Sequence, residues 1–394
     1  MTRVAHTPLG DLMAAKTGSV DPSKYEDEVF DLYSIPAFDQ GAPEVAHGSS
    51  IGSAKQVVEP QDVLLSKIVP HIRRAWVVGE DRGRRLLASG EWIVFRSPRA
   101  EPSYLRQVLR SDPFHVQFMQ TVAGVGGSLL RARPAQVARI SIPLPPLAEQ
   151  RRIAAILDKA DALRAKRREA LAQLDGLTQS IFIEMFGDPS RSLPSFPSVA
   201  LDAILAIPLQ NGAYYPKEVY SSDGVEMVHM SDAFNGIVKR GVLKRVDCSE
   251  RDIAKYGLSD SDILIARRSL TYDGAAKPCR VPASTEPLIF ESSFIRISPD
   301  PAKVSTEYLF RYLDNERVRE KHIRPFVTQS TISGINQSNL ERVSVLVPPL
   351  ALQQTFATRI QAVESLKTTH RTALAELDAL FASLQHRAFA GQLS

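Results

Sequence analysis

The groupings in this sequence with an evident chemistry are cationic. Lys67, Arg73 and Arg74 follow a β-rich run that begins at Asp62. Ser128, Arg131 and Arg133 follow the glycine-rich stretch Gly124-Val125-Gly126-Gly127. A second β-rich run, from Asp262, is followed by Arg267, Arg268, Tyr272 and Lys277. Thr328, Gln329 and Ser330 lie downstream, and Asn211, Tyr214 and Tyr215 lie on an upstream turn. Arginine can fork onto guanine, and asparagine or glutamine onto adenine. Lysine, arginine and hydroxyl groups hold phosphates. The same residues also serve as solvated charges and capping hydroxyls. Arg82-Gly83-Arg84-Arg85 reads as an exposed loop, and residues 164–168 as a solvated helix face or a surface for a partner.

Other chemistries are excluded by what the chain lacks. It has no GxxxxGK[ST] loop, no HExxH and no Asn/Asp-Pro-Pro-aromatic loop. The glycine stretch at 124–127 does not fit a GxGxxG frame and reads as a loop. The cysteines, Cys248 and Cys279, are too far apart for a CxxC metal pair. The expectation is therefore a non-catalytic chain that binds no metal or cofactor itself. The balance of 48 Lys+Arg against 44 Asp+Glu and a pI of about 9.0 suit a polyanionic partner without requiring one. No apolar run is long enough to span a membrane and the N-terminus does not resemble a signal peptide, so a cytoplasmic address is expected.

The elements that must position these residues occur twice. Pro145-Pro146-Leu147-Ala148 returns as Pro348-Pro349-Leu350-Ala351, an offset of 203. Without a gap, 16 of 44 positions agree between residues 145–188 and 348–391. The preceding stretches echo each other more faintly: Asp62-Val63-Leu64-Leu65-Ser66 resembles Asp262-Ile263-Leu264-Ile265-Ala266, and Tyr104-Leu105 resembles Tyr308-Leu309. Two large units, each a module followed by a long helix, are implied, as opposed to a solenoid of short repeats.

The modules read as α+β. Short strands are expected at 62–69, 92–95, 224–230, 262–266 and 294–297, and helices at 102–110 and 305–314. Each helical segment opens at a Pro-Pro pair and runs without proline to a glycine. Its apolar residues follow heptad spacing. In the first, Ile153, Leu157, Leu163, Leu174 and Leu177 form the expected pairing seam; in the second, Ile360, Val363, Leu366, Leu377 and Leu380 do so. Arg167 and His370 interrupt the seam at equivalent places. The expected fold class is two pseudo-symmetric modules, each a curved β-sheet with flanking helices, separated by two long antiparallel helices that form a coiled coil. The expected divisions are residues 1–144, 145–189, 190–347 and 348–394.

The stretch Ile142-Pro143-Leu144-Pro145-Pro146-Leu147-Ala148-Glu149-Gln150-Arg151-Arg152-Ile153 resembles the central conserved region of specificity subunits of type I restriction–modification enzymes. Glu184-Met185-Phe186-Gly187-Asp188-Pro189 is similar to the exit from that helix. Asp262-Ile263-Leu264-Ile265-Ala266-Arg267 resembles the family's Gly-Asp-x-Leu-hydrophobic-Ser/Ala-Arg strand, with Ser261 in place of the glycine and Gln61 at that position in the first half. The resemblance implies target-recognition domains at 1–144 and 190–347, each reading one half of a split site on double-stranded DNA. It further implies docking of two modification subunits that carry S-adenosylmethionine and methylate adenine, and of ATP- and magnesium-dependent restriction subunits. A coiled-coil DNA-binding scaffold or regulator without that partner set is the alternative. If the helix pair is a ruler, one heptad inserted into both helices adds roughly 10 Å. The unread gap of the recognition sequence should then grow by about three base pairs. Mapping the methylated motif of the lengthened chain checks this, and an unchanged gap removes the ruler.

Overall fold

A computed structural model describes residues 5–123, 130–189, 196–233, 236–329 and 331–393. Ser128, Ser330 and the glycine stretch at 124–127 lie outside the described residues. The chain forms two compact units. The first comprises Met1–Glu169 with Arg371–Ser394, and the second Ala170–His370. These units follow contact rather than chain order, so each contains part of both long helices.

In the first unit, Ser19–Val20, Lys55–Val57, Arg85–Ala88, Val29–Tyr33 and Glu44–His47 form a five-stranded sheet in that order. Its Val29–Tyr33 and Arg85–Ala88 strands run parallel. Ala75–Val77, Val63–Ser66 and Trp92–Phe95 form a three-stranded antiparallel sheet. Val63, Leu65, Ile93 and Phe95 face one core, with Tyr104, Leu105 and Val108 of the helix Pro102–Arg110. Leu64, Trp92 and Val94 face another, with Tyr33 and Val78. Both faces are covered, so these strands read as unbroken apolar runs without alternation.

The second unit repeats this arrangement. Leu205–Asn211, Phe294–Pro299, Ile263–Ala266 and Pro278–Arg280 form one four-stranded sheet. Tyr220–Ser221, Lys244–Val246, Val225–Val228 and Leu288–Phe290 form another. Val225–Val228 and Leu288–Phe290 again run parallel. Ile263 and Ile265 face the core of the helix Thr306–Asp314, while Leu264 and Ala266 face the opposite side. The helix starts are capped alike: Glu101 accepts from the Tyr104 N–H, and Ser305 from the Tyr308 N–H.

The repeat extends to single hydrogen bonds. Gln150 and Gln353, on the first turns of the long helices, are almost fully buried. The Gln150 Oε1 accepts from the Glu101 N–H at 2.8 Å, and its Nε2 donates to the carbonyls of Arg99 and Pro145 at 2.9 and 2.7 Å. The Gln353 Oε1 accepts from the Ser305 N–H at 2.8 Å, and its Nε2 donates to the carbonyls of Lys303 and Pro348 at 3.3 and 2.8 Å. The Tyr104 hydroxyl donates to the Pro143 carbonyl and that of Tyr308 to the Leu346 carbonyl. Each helix is thereby locked to its own module at its N-terminus.

The long helices span Leu147–Phe186 and Leu350–Phe389. Gly187 follows the first at φ +81° and Gly391 the second at φ +70°, the left-handed backbone that ends a helix most cheaply on glycine. In each unit the segments of the two helices pack antiparallel. In the first, Arg164 Nε meets Asp378 Oδ1 at 2.5 Å; in the second, Lys367 Nζ meets Asp175 Oδ1 at 2.9 Å. The four residues are related by the offset of 203.

The seam differs from the expected one in its middle. Ile153, Leu157, Ile360 and Val363 are buried, and Leu174 and Leu377 partly so. Leu163, Leu177, Leu366 and Leu380 are instead exposed, at 47, 43, 52 and 51%. The inward positions run 153, 157, 160, 164, 167, 171, 174, 178, 181, and 203 residues later in the second helix. This heptad is unbroken, but Arg164, Arg167, Thr178, Lys367 and His370 occupy positions that hydropathy gives to the leucine one residue earlier or to no residue. Arg164 fits there because its guanidinium lies over the Phe381 ring, 4.2 Å from its centroid, and also reaches Asp161 and Asp378. Lys367 is 5% exposed and reaches Glu364 as well as Asp175. At their ends the seams are also covered by the modules: Ile153 and Leu157 join the first unit's core, and Phe356, Ile360 and Val363 the second's.

The turn before the Asp62 strand explains one substitution. Asp62 and Asp262 each brace it, accepting from the N–H of Glu59 and Ser259 respectively at 2.8 Å. Gln61 there has φ +72°, whereas Ser261 is not in the left-handed region. Such a backbone costs a residue with a Cβ roughly 1–2 kcal/mol. Gln61→Gly should therefore raise stability by about 0.5–1 kcal/mol after the entropy glycine adds to the unfolded chain. Ser261→Gly should gain nothing. Thermal and denaturant midpoints of the two variants check the difference.

Candidate nucleic-acid interface

In the first unit the strand Val63–Ser66 delivers Lys67 to a junction with the segment beyond the glycine stretch. The Ala132 N–H donates to the Lys67 carbonyl at 2.8 Å, and Ile68 pairs antiparallel with Arg131. Lys67, Arg131 and Arg133 therefore converge at one sheet end. Arg131 is exposed and reaches Glu91 at 3.0 Å; Arg133 is exposed at the start of the helix Pro134–Val137.

Of the neighbouring arginines Arg74 serves the fold, whereas Arg73 stays exposed. Arg74 is buried and forks onto Asp39, at 2.8 and 2.7 Å. Arg73 binds Asp112 at 2.5 Å. Arg74 follows the loop into the sheet, so its position after the strand does not make it a surface cation. Within the run 82–85, Arg84 and Arg85 also turn inward, to Asp31 and Glu28, and only Arg82 and Gly83 are exposed. The Arg85 guanidinium holds the Glu28 carboxyl below the ordinary glutamate value, chiefly through their hydrogen bonds.

The second unit builds the corresponding junction from Arg267 and Arg268. Arg268–Ser269 pairs with Ser333–Gly334, and Gly334 exchanges two backbone hydrogen bonds with Thr328. A Cβ at Gly334 would lie 2.7 Å from the Arg267 carbonyl oxygen, so the close approach requires glycine. Arg267, Arg268 and Thr328 thus line one open cleft with Ile332, Gly334, Ile335 and Asn336. Arg268, Lys277, Thr328 and Gln329 are exposed.

The loop beyond Arg268 is held from below. Arg319, 4% exposed, donates to the carbonyls of Asp273, Ala275 and Ala276 at 2.7, 3.1 and 2.9 Å. Tyr272 is half-buried; its hydroxyl donates to the Arg324 carbonyl, and Arg324 also binds Asp273. These two arginines escaped sequence reasoning because they lie more than 40 residues beyond the loop, among other charged residues, and no local signal marks them.

The upstream turn divides. Tyr214 is 82% exposed. Tyr215 packs against Ala213, Met227 and Val246, and burial raises its phenol above the ordinary value. Asn211 ends the strand Leu205–Asn211, opposite Ile295. Residues 164–168 are also split: Arg164 enters the helix seam, while Arg168 is half-exposed and reaches Asp378. Among the described residues no group of histidine, cysteine, aspartate and glutamate could hold a metal ion, and no helix is long and apolar enough to cross a membrane.

A model of the type I restriction modification DNA specificity domain matches residues 114–173 and 198–379. The type I restriction enzyme StySPI specificity subunit of Salmonella potsdam is 23% identical over 86% of this chain and 76% of its own length. The EcoKI specificity subunit of Escherichia coli K12 is 25% identical over 68% of this chain and 61% of its own. The fold is similar to that of the S subunit of a type I restriction-modification system from M. genitalium, with a TM-score of 0.58 and 11% identity over 99% of this chain and 97% of that one. A chain from a structure of type I R-M complex assembly gives a TM-score of 0.57 and 21% identity, covering 100% of this chain and 99% of that one.

The division into structural and exposed cations has a measurable consequence. Arg74→Ala should lower stability by about 1–3 kcal/mol through its lost paired hydrogen bonds. Arg131→Ala and Arg268→Ala should stay within about 0.5 kcal/mol of the parent. Each of these two should reduce the salt dependence of duplex binding by roughly one ion. Thermal melts and binding titrations at several salt concentrations separate the two classes.

Proposed function

The chain belongs to the DNA specificity family of type I restriction–modification systems, and we propose that it reads a bipartite site on double-stranded DNA, one half per unit. The observation that carries this reading is the repeated junction of a strand exit and a partner segment. It presents Lys67, Arg131 and Arg133 in one unit and Arg267, Arg268 and Thr328 in the other. The same backbone frame with different side chains suits two unlike half-sites, because exposed arginines and amides distinguish bases by the donors and acceptors they meet.

Docking of two adenine-N6 methyltransferase subunits is the second part of the proposal. Each unit exposes a pair of leucines on its long-helix segments, Leu163 with Leu380 in the first and Leu177 with Leu366 in the second. The pairs are related by the offset of 203, which supports two like partners on two like surfaces. S-adenosylmethionine, ATP and magnesium would be held by the partner subunits, together with the chemistry, and ATP-dependent restriction subunits would join the assembly. Its own role is then selection of the site, without catalysis.

Co-expression with the modification subunit of the same system in a methylation-free host, followed by mapping of N6-methyladenine, tests the reading. A split motif with a fixed gap, lost when this chain is omitted, is expected. Methylation that persists without the chain would overturn it. Leu163→Asp with Leu380→Asp should leave thermal stability unchanged and reduce the bound modification subunits from two to one by mass measurement of the complex.

A further inference from the structure

We propose that Leu270 and Ile332 recognise thymine, by packing against its C5-methyl group in the major groove. The proposal rests on the DNA-reading function above and adds a base preference to the second unit. The ribbon of Arg268–Ser269 and Ser333–Gly334 pairs Arg268 with Gly334 and Ser269 with Ser333. Leu270 and Ile332 lie one step beyond that last pair, one on each strand. They are 87 and 50% exposed, so neither contributes a full side chain to the core.

The turn that carries Leu270 is braced in this outward position. The Thr271 N–H donates to Ser269 Oγ at 3.1 Å, and the Gly274 N–H to Thr271 Oγ1 at 3.2 Å. Arg319 holds the carbonyls of Asp273, Ala275 and Ala276 from within. A large apolar side chain fixed outward by hydrogen bonds below it is arranged for contact and not for burial within its own unit. The chemistry around it selects the occupant. Arg268 and Lys277 are exposed on the same loop, and Thr328 and Gln329 on the adjoining one, which complements phosphates on either side of a groove. A two-stranded ribbon fits the major groove, where thymine alone among the four bases presents a methyl group.

The test uses the chain assembled with its modification subunits and the recognition sequence found by methylation mapping. Each thymine of the two half-sites is replaced singly by uracil, which removes the methyl and leaves the hydrogen-bonding edges intact. At one or two positions uracil should weaken binding about fourfold per methyl. Leu270→Ala with Ile332→Ala should bind the thymine and uracil duplexes alike, whereas Arg268→Ala should bind both more weakly and keep their ratio. The proposal is overturned by equal binding of all uracil duplexes to the parent or by a thymine preference that survives in the double variant. It is also overturned if the double variant loses the modification subunits while keeping the thymine preference, which would make this a protein contact. If no split motif appears with the parent chain, the DNA-reading function itself fails, and that result precedes any uracil measurement.

Discussion

A buried glutamine amide at the start of each long helix holds the rest of the molecule in place. Gln150 and Gln353 each spend three hydrogen-bonding groups on backbone that would otherwise be orphaned beneath the helix: the Pro-Pro carbonyl below them and two groups of the loop entering the module's own helix. A buried amide left without such partners costs about 1–3 kcal/mol per group, so the site tolerates one helix direction and one register. That direction brings Ile153 and Leu157, or Phe356 and Ile360, onto the module's core. The remainder of each helix can then meet only the other.

Further along, the seam changes character. Where module side chains no longer cover the helices, the inward positions carry Arg164 and Lys367, paired across to Asp378 and Asp175. A charge at a heptad core position lowers stability relative to an apolar residue but restricts alignment. The ion pairs recur at symmetry-related positions, so the restriction acts in both units. The leucines displaced from the seam become exposed surface, the surface to which like partners are assigned above.

At the strand exits the same economy holds. Each junction uses backbone hydrogen bonds for its frame, and the residues on it differ: Lys67 and Arg131 in one unit answer Arg267 and Gly334 in the other. The interior arginines, Arg74 and Arg319, fix the loops, and the exposed ones remain available for a polyanion. A cation's position after a strand does not say which of these roles it has. Solvent exposure and the location of the nearest carboxylate decide it, and both depend on the packing of distant segments.

Much was legible in the sequence because it depended on local rules or on the repeat. The Pro-Pro starts and glycine ends of the two long helices, the strands expected at 92–95 and 262–266 and the helices expected at 102–110 and 305–314 follow from steric limits on proline, the freedom of glycine and apolar runs between turns, and the duplication is read from the repeat itself. The family resemblance lay in the same stretches. Packing between distant segments alone sets which residue of a neighbouring pair turns inward. Hydropathy favours Leu163 over Arg164 and Leu366 over Lys367, yet the helix can present only one of each pair to its partner. That choice is made by Gln150 and Gln353, by Phe381, and by one aspartate on each facing helix. It could not be read from the chain, because the free energy of burying an arginine or a lysine depends on whether its counter-charge, some two hundred residues away in sequence, lies within reach in space.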